Sequence, residues 1–444
     1  MKPQFLQDEI LFGPGMSQAT HYRIPSLVTT EHGVVIAAID ARYDTSKDNP
    51  NRIDKAIRRS LDGGKTWEPV QVIVSCSGRG RDNGEAAIDP AMLVDRQTNT
   101  VWMIYCHTPG GVGLVASRPG RGCDDKGRRY VYDRQNTRYL LEDGALVSMD
   151  GTPTSVLVSQ AGDVTVNGKA CGNLYLGYGE YLVERTSYLE AVYSEDDGAT
   201  WSAPIDLTHQ VKEEWMRFIG AGPGIGIQLQ QGPHAGRLIF PIYFSNETNS
   251  IFWRMSCALI YSDDHGKTWH RGASPNDGRV LDGETLSART LQAQSGELTE
   301  SQAVELENGK IRVYLRNHLE SGCVAYCEST DGGESFSQVL PQPALPDPVC
   351  QSSVIRLPDL GDGALRLLFA NPADSQERIR GTVRLSEDGG KTWCASRTVD
   401  EGFFMYNSMT VLPDGTVGIL YEGDETEQTI RFRRFSLDWI RQGD

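Results

Sequence analysis

Short apolar runs of strand length recur along this chain, and several end in the same polar octet. Gly33–Arg42, Ile53–Arg59, Ala86–Val94, Thr100–Cys106, Ile225–Leu229 and Thr429–Phe435 read as strands. The octet S-x-D-x-G-x-x-W occupies Ser60–Trp67, Ser194–Trp201, Ser262–Trp269 and Ser386–Trp393, and Ser329–Phe336 repeats it with Phe in the last place. Its chemistry is that of a tight hairpin turn. Ser and Asp side chains satisfy turn backbone groups, Gly accepts positive φ, and the aromatic ring plugs the turn into a core. Successive octets start 134, 68, 67 and 57 residues apart. The first gap is twice the second, so one repeat lacks its octet or carries an insertion. Strand-rich repeats of this kind predict an all-β fold, a β-propeller of about six blades with long loops.

The pattern breaks between about 107 and 177, where Asp163–Lys169 contains an Asn-Gly hairpin signal, so a β-rich segment is expected to be inserted in one blade. The glycine-dense stretch Glu214–Gly226 lacks the spacing and βαβ context of a dinucleotide site and reads as a close-packed loop. Gly78–Gly84 reads as a loop whose arginines face water. Ser436–Gln442 reads as a helical turn, and the last strand is expected to pair with N-terminal strand material and close the ring. One propeller domain over residues 1–444 accommodates all of this.

Composition narrows the function. A net charge of −16 argues against nucleic acid and anionic membranes as partners. No run approaches the roughly 18 apolar residues of a membrane span. The first nine residues lack the apolar core of a signal peptide, so the expectation is a cytoplasmic protein, or a secreted or cell-surface one whose leader has been removed. Nine cysteines without CxxC spacing give neither a disulfide framework nor a zinc ligand set and read as small buried hydrophobes. Cys323 and Cys327 lie about 13 Å apart if both are on one strand, too far to bridge. Asn246-Glu247-Thr248 matches a glycosylation acceptor.

Tyr22-Arg23-Ile24-Pro25 upstream of five such octets, known as Asp-boxes, resembles the sialidase (neuraminidase) family, especially its bacterial members. The resemblance covers nearly the whole chain apart from much of 107–177. It implies a six-bladed propeller with the boxes on outer turns, remote from the active site. It also implies three arginines clamping the sugar carboxylate. Arg23 fits the first by its motif, Arg316 the second, and Arg378 the third, with Arg380 as rival. Guanidinium groups bind carboxylate in bidentate fashion and stay charged, and three converging cations call for an anion among them.

The same resemblance assigns the reaction to Tyr406 as nucleophile with Glu300 as its base. A neutral phenol avoids the repulsion that a carboxylate nucleophile would meet at an anomeric centre bearing its own carboxylate. Asp48 matches the general acid/base, with Asp44 as the alternative. Arg42 resembles the residue at the C4 side of the sugar, and Asp89 is expected to line the pocket. No metal or cofactor is expected. The implied activity is that of an exo-α-sialidase, a retaining hydrolase acting on sialylated oligosaccharides or glycoproteins. An intramolecular trans-sialidase releasing an anhydro sugar, and a sialoglycan-binding propeller without activity, are the alternatives. The choice between hydrolysis and intramolecular transfer turns on a bulky group over the leaving-group side, for which Trp215 and Trp253 have no assigned place in the sequence.

Overall fold

A computed structural model describes residues 5–247, 254–426 and 429–443. The fold is all-β with a propeller-like ring of sheets. Four sheets of four or five strands stand separately. They are built on Leu238–Ser245 and Met255–Ser262, on Leu298–Glu305 to Leu340–Pro346, on Ser353–Arg356 to Ala395–Phe403, and on Asn407–Val411 to Ile430–Phe435. In the last, Gln7–Phe12 pairs antiparallel with Ile430–Phe435, which closes the ring as expected.

The six separate blades expected from the repeat are not what the hydrogen bonding shows. A nine-stranded sheet runs from Ile205–Asp206 through Tyr188–Ser194, Thr100–Thr108, Ala86–Asp95, Ile53–Ser60 and Val35–Arg42 to His21–Thr29. The physical reason is one parallel pair, Ile53 with Ala86, which fuses two groups of strands.

The octets fold as predicted. In Ser262–Trp269, Ser262 Oγ accepts from Gly266 N at 2.8 Å and donates to Asp264 Oδ1 at 2.8 Å. Asp264 accepts from Thr268 N and Oγ1 at 2.9 and 2.7 Å. Trp269 is 2% exposed and packs against Trp102 and Phe240. Gly266 is obligatory: its φ is 86°, and a Cβ there would lie 2.3 Å from Trp102. The Ser-to-Gly bond recurs at Ser60, Ser194, Ser329 and Ser386.

Thr100–Thr108 and Tyr188–Ser194 pair directly, and a seven-stranded sheet is built from the chain between them, from Tyr130–Asp133 to Tyr181–Val183. Asn167 and Gly168 both take positive φ between strands Asp163–Val166 and Lys169–Asn173, as the hairpin signal required. This sheet has its own core around Val131, Leu146, Val156 and Leu174. Arg129 ties it to the ring through Glu190 and Asp206.

The glycine-dense loop packs at the ring centre. Pro223 O accepts from Gln302 and Gln351 at 3.0 and 3.1 Å, and Gly224 O from Ser26 Oγ at 2.6 Å. All nine cysteines are free and six are buried. Asn246 is buried, and Thr248 of the acceptor triplet lies outside the described residues. Among the described residues no helix is long and apolar enough to cross a membrane.

Candidate functional site

Three inner strands share one irregularity. Pairing slips between Arg23 and Ser26, between Ile88 and Ala91, and between Leu298 and Ser301. Each slip falls on a candidate residue or its neighbours: Arg23-Ile24-Pro25, Asp89-Pro90 and Thr299-Glu300. Ile24 and Asp89 both have φ of 64°. Such bulges re-aim side chains, and a β-branched residue in that conformation needs outside support. Ile24 receives it from Glu422, whose Oε1 accepts Ile24 N at 2.8 Å while Oε2 takes Arg23 Nε at 3.1 Å.

The result is a cavity of about 580 Å³ at one end of the ring, walled by Arg23, Asp48, Asp89, Glu300, Arg316, Arg378 and Tyr406 together. Residues scattered from 23 to 406 thus meet at one place. Tyr406 donates its hydroxyl to Glu300 Oε1 at 2.6 Å, and Arg316 Nη1 reaches both that hydroxyl at 3.0 Å and Glu300 Oε2 at 2.7 Å. Burial, then the neighbouring Glu300 carboxylate, push the phenol well above its ordinary pKa, against the pull of Arg316, Arg378 and Arg23. Tyr406 is therefore a neutral phenol hydrogen-bonded to a carboxylate, poised to lose its proton only as it reacts.

The arginines are held from behind. Val349, at φ 58°, turns its carbonyl to accept from Arg316 Nε at 3.0 Å and Arg378 Nη2 at 3.3 Å. Arg378 meets no carboxylate among the described residues, and its other partner is Met405 Sδ. Arg380 pairs with Asp374 at 2.7 Å and is exposed, whereas Arg378 lines the cavity.

Asp48 accepts from Arg42 Nη1 at 2.8 Å and Arg23 Nη1 at 3.3 Å. Desolvation pushes its carboxyl up, but Arg42, Arg23 and Arg316 more than offset this and hold it below the usual range. Asp44 instead accepts from Gly80 N at 2.7 Å, outside the cavity. Arg42 is fully buried behind Asp48 and also bonds Asp40 at 2.8 Å, whose other oxygen takes the buried Lys55. In this structure Arg42 contacts Asp48 rather than the cavity surface.

Asp89 accepts from Tyr243 at 2.8 Å, and burial, then Asp40, Glu300 and Asp48 nearby, push its pKa well above the usual carboxylate value. His318 on the same wall is driven down to about 4 by burial and then Arg316, and stays neutral.

Sequence reasoning missed Glu422, Val349, Asp40 and Lys55. Asp40 and Glu422 carry a signal, a carboxylate in a mainly apolar strand, which is rarely buried without a partner. It also sent the arginines of Gly78–Gly84 to water; Arg81 is exposed but stands at the cavity wall. Trp215 packs on Phe244, bonds Glu213 and does not line the cavity, and Trp253 lies outside the described residues. Replacing Glu422 by Ala strips Ile24 N and Arg23 of a buried acceptor, with an expected loss of about 3 kcal/mol of stability in denaturant unfolding.

Comparison with known proteins matches a BNR repeat-like domain model to residues 41–419. The chain is 31% identical over 424 residues to a sialidase of Micromonospora viridifaciens, covering 95% of this chain and 52% of that protein. It is 29% identical to the anhydrosialidase of Macrobdella decora, covering 97% of this chain and 62% of that protein. The chain thus spans only part of the length of these relatives. Among solved structures it resembles the intramolecular trans-sialidase from Ruminococcus gnavus in complex with oseltamivir carboxylate, with a TM-score of 0.82, 27% identity and 98% of both chains covered.

Proposed function

The chain belongs to the BNR repeat-like domain family and is a homologue of sialidases, and from that premise we propose that it is a retaining exo-α-sialidase acting on sialylated glycoconjugates. The observation that carries this reading is the Tyr406–Glu300 hydrogen bond of 2.6 Å set between Arg316 and Arg378 in the cavity wall. Arg23, Arg316 and Arg378 take the sugar carboxylate, and Asp89 bonds a ring substituent. Tyr406 attacks the anomeric carbon as its proton passes to Glu300, and Asp48 protonates the departing oxygen. Water activated by Asp48 then attacks the anomeric carbon of the tyrosyl glycoside, the bond to the Tyr406 oxygen breaks, and Glu300 returns the proton to that oxygen. Metal is not part of the proposed mechanism.

Hydrolysis is the first reading and intramolecular transfer the second; the same Tyr406, Glu300 and Asp48 serve both, and Asn49, Pro50, Gly111, Gly113, Leu114 and Val115 line the cavity with them. The ring itself counts as six blades if the nine-stranded sheet is divided at its single Ile53–Ala86 pair. The seven-stranded sheet is an insertion in the second of them.

The reading makes a pH prediction. Asp48 acts as an acid yet is held below the usual carboxylate pKa, so kcat/KM falls about tenfold per pH unit through the neutral range. A bound carboxylate offsets the arginine field and raises the Asp48 pKa, so the limb in kcat lies at higher pH. Asp48→Asn loses about 10²–10⁴-fold on an alkyl sialoside and less on an aryl sialoside, whose phenol leaves without proton help. An Asn variant with the wild-type limb would remove Asp48 from this role.

A further inference from the structure

The three arginines of the cavity wall differ in what holds them. Arg23 meets two carboxylates, Glu422 at 3.1 Å and Asp48 at 3.3 Å, and Arg316 meets Glu300 at 2.7 Å. Among the described residues Arg378 has only neutral partners. Its Nη2 donates to the Val349 carbonyl at 3.3 Å, and its Nη1 to the Met405 thioether at 3.1 Å. Two of the three positive charges are thus partly offset before any anion arrives, and the third is not.

The backbone brings Met405 to that contact. Phe404 N donates to Arg378 O at 2.9 Å and Met405 N to Glu422 O at 3.1 Å, so Met405 is fixed between the two stretches that carry Arg378 and Glu422. Phe404 is fully buried and stacks on Tyr421, which leaves Met405 to the opposite side of the chain. The Met405 side chain packs with Ile24, Cys350 and Tyr406 and does not line the cavity that holds the nucleophile. It therefore acts on a bound sugar only through Arg378.

We propose that Met405 is a positioning residue for anion recognition, its sulfur aiming the Arg378 guanidinium at the sugar carboxylate without cancelling its charge. The inference rests on the reading of the arginines as a carboxylate clamp. A long side chain left free would lose rotamer freedom on binding, and a fixed partner removes that cost. A carboxylate partner here would compete with the substrate for the same charge, whereas a thioether does not. Its unbranched, polarisable chain also suits an apolar site. Leucine would fill the same space and accept nothing.

The test measures sialic acid binding by calorimetry, and kcat and KM on 3′-sialyllactose, for wild type and three variants whose folding is checked by denaturant unfolding. Met405→Leu is expected to raise Kd and KM about three- to tenfold. Its kcat stays within about twofold, because the bonds among Tyr406, Glu300 and Arg316 use no atom of Met405. Met405→Gln returns a neutral acceptor of similar reach and stays within about twofold of wild type in Kd. Met405→Glu sets a carboxylate against the substrate and weakens binding by about 10²-fold. Packing alone would rank the volume-conserving Leu above Gln, the reverse of this order. Binding by the Leu variant equal to wild type, or binding by a folded Gln variant weaker than by Leu, overturns the role of Met405 and leaves the clamp standing. Where Gln or Glu fails to fold, Leu against wild type decides alone. If wild type neither binds sialic acid nor cleaves the sialoside, the clamp itself fails and takes this role with it.

Discussion

Tyr406→Phe is expected to lower kcat on a sialoside by about 10⁴-fold or more, because no other group in the cavity supplies the nucleophile. The substitution removes a single oxygen. That oxygen donates to Glu300 and accepts from Arg316, and both partners keep their bond to each other at 2.7 Å. The ring of Tyr406 lies near Arg23 and Arg378, with centroid distances of 5.6 and 5.9 Å, and Phe preserves that face. Binding of sialic acid by calorimetry is therefore expected to change by less than about tenfold, since each lost hydrogen bond is modest in net terms. Loss of turnover with retained binding separates the nucleophile from the clamp. A Phe variant with near-normal turnover would show that Tyr406 only fills space.

The second large effect lies in binding. Arg316→Ala is expected to weaken sialic acid binding by about 10²–10³-fold, the scale of removing one partner from a desolvated charge pair. Arg316 is singled out over Arg378 because it also organises the nucleophile: its Nη1 contacts both Glu300 and Tyr406, and Val349 O holds its Nε. The variant leaves Glu300 buried without its cation, so turnover falls together with affinity. Arg316→Lys restores the charge but not the planar fork, and is expected to recover only part of the loss. Titration of sialic acid against each variant, with folding checked by denaturant unfolding, decides the matter. Affinity in the Ala variant equal to wild type would mean the anion binds elsewhere.

What could be read from the chain and what could not divide along physical lines. The Asp-boxes were legible because eight adjacent residues make their own hydrogen bonds, as Ser262, Asp264 and Thr268 do. The hairpin at Asn167-Gly168 was legible for the same reason. Arg23 was marked by the proline two residues on, and Tyr406, Glu300, Asp48 and Arg378 by resemblance to a family pattern, and all of these do line one cavity. The division of the ring into sheets was not legible, since a single Ile53–Ala86 pair decides it and no local rule predicts such a pair. Nor was Glu422, 399 residues from Arg23, or the Val349 carbonyl, which any residue type could supply. Arg42, which the pattern pointed at the sugar, bonds Asp40 and Asp48 in this structure and stands behind the cavity lining.

The most direct test of the account is incubation of the protein with 3′-sialyllactose, with products identified by mass spectrometry. The account predicts lactose and free sialic acid, with the latter carrying one oxygen from labelled water. A sialic acid product lighter by one water would contradict hydrolysis and assign the same residues to intramolecular transfer. Unchanged substrate, under conditions where the sugar measurably binds, would contradict the enzymatic reading altogether.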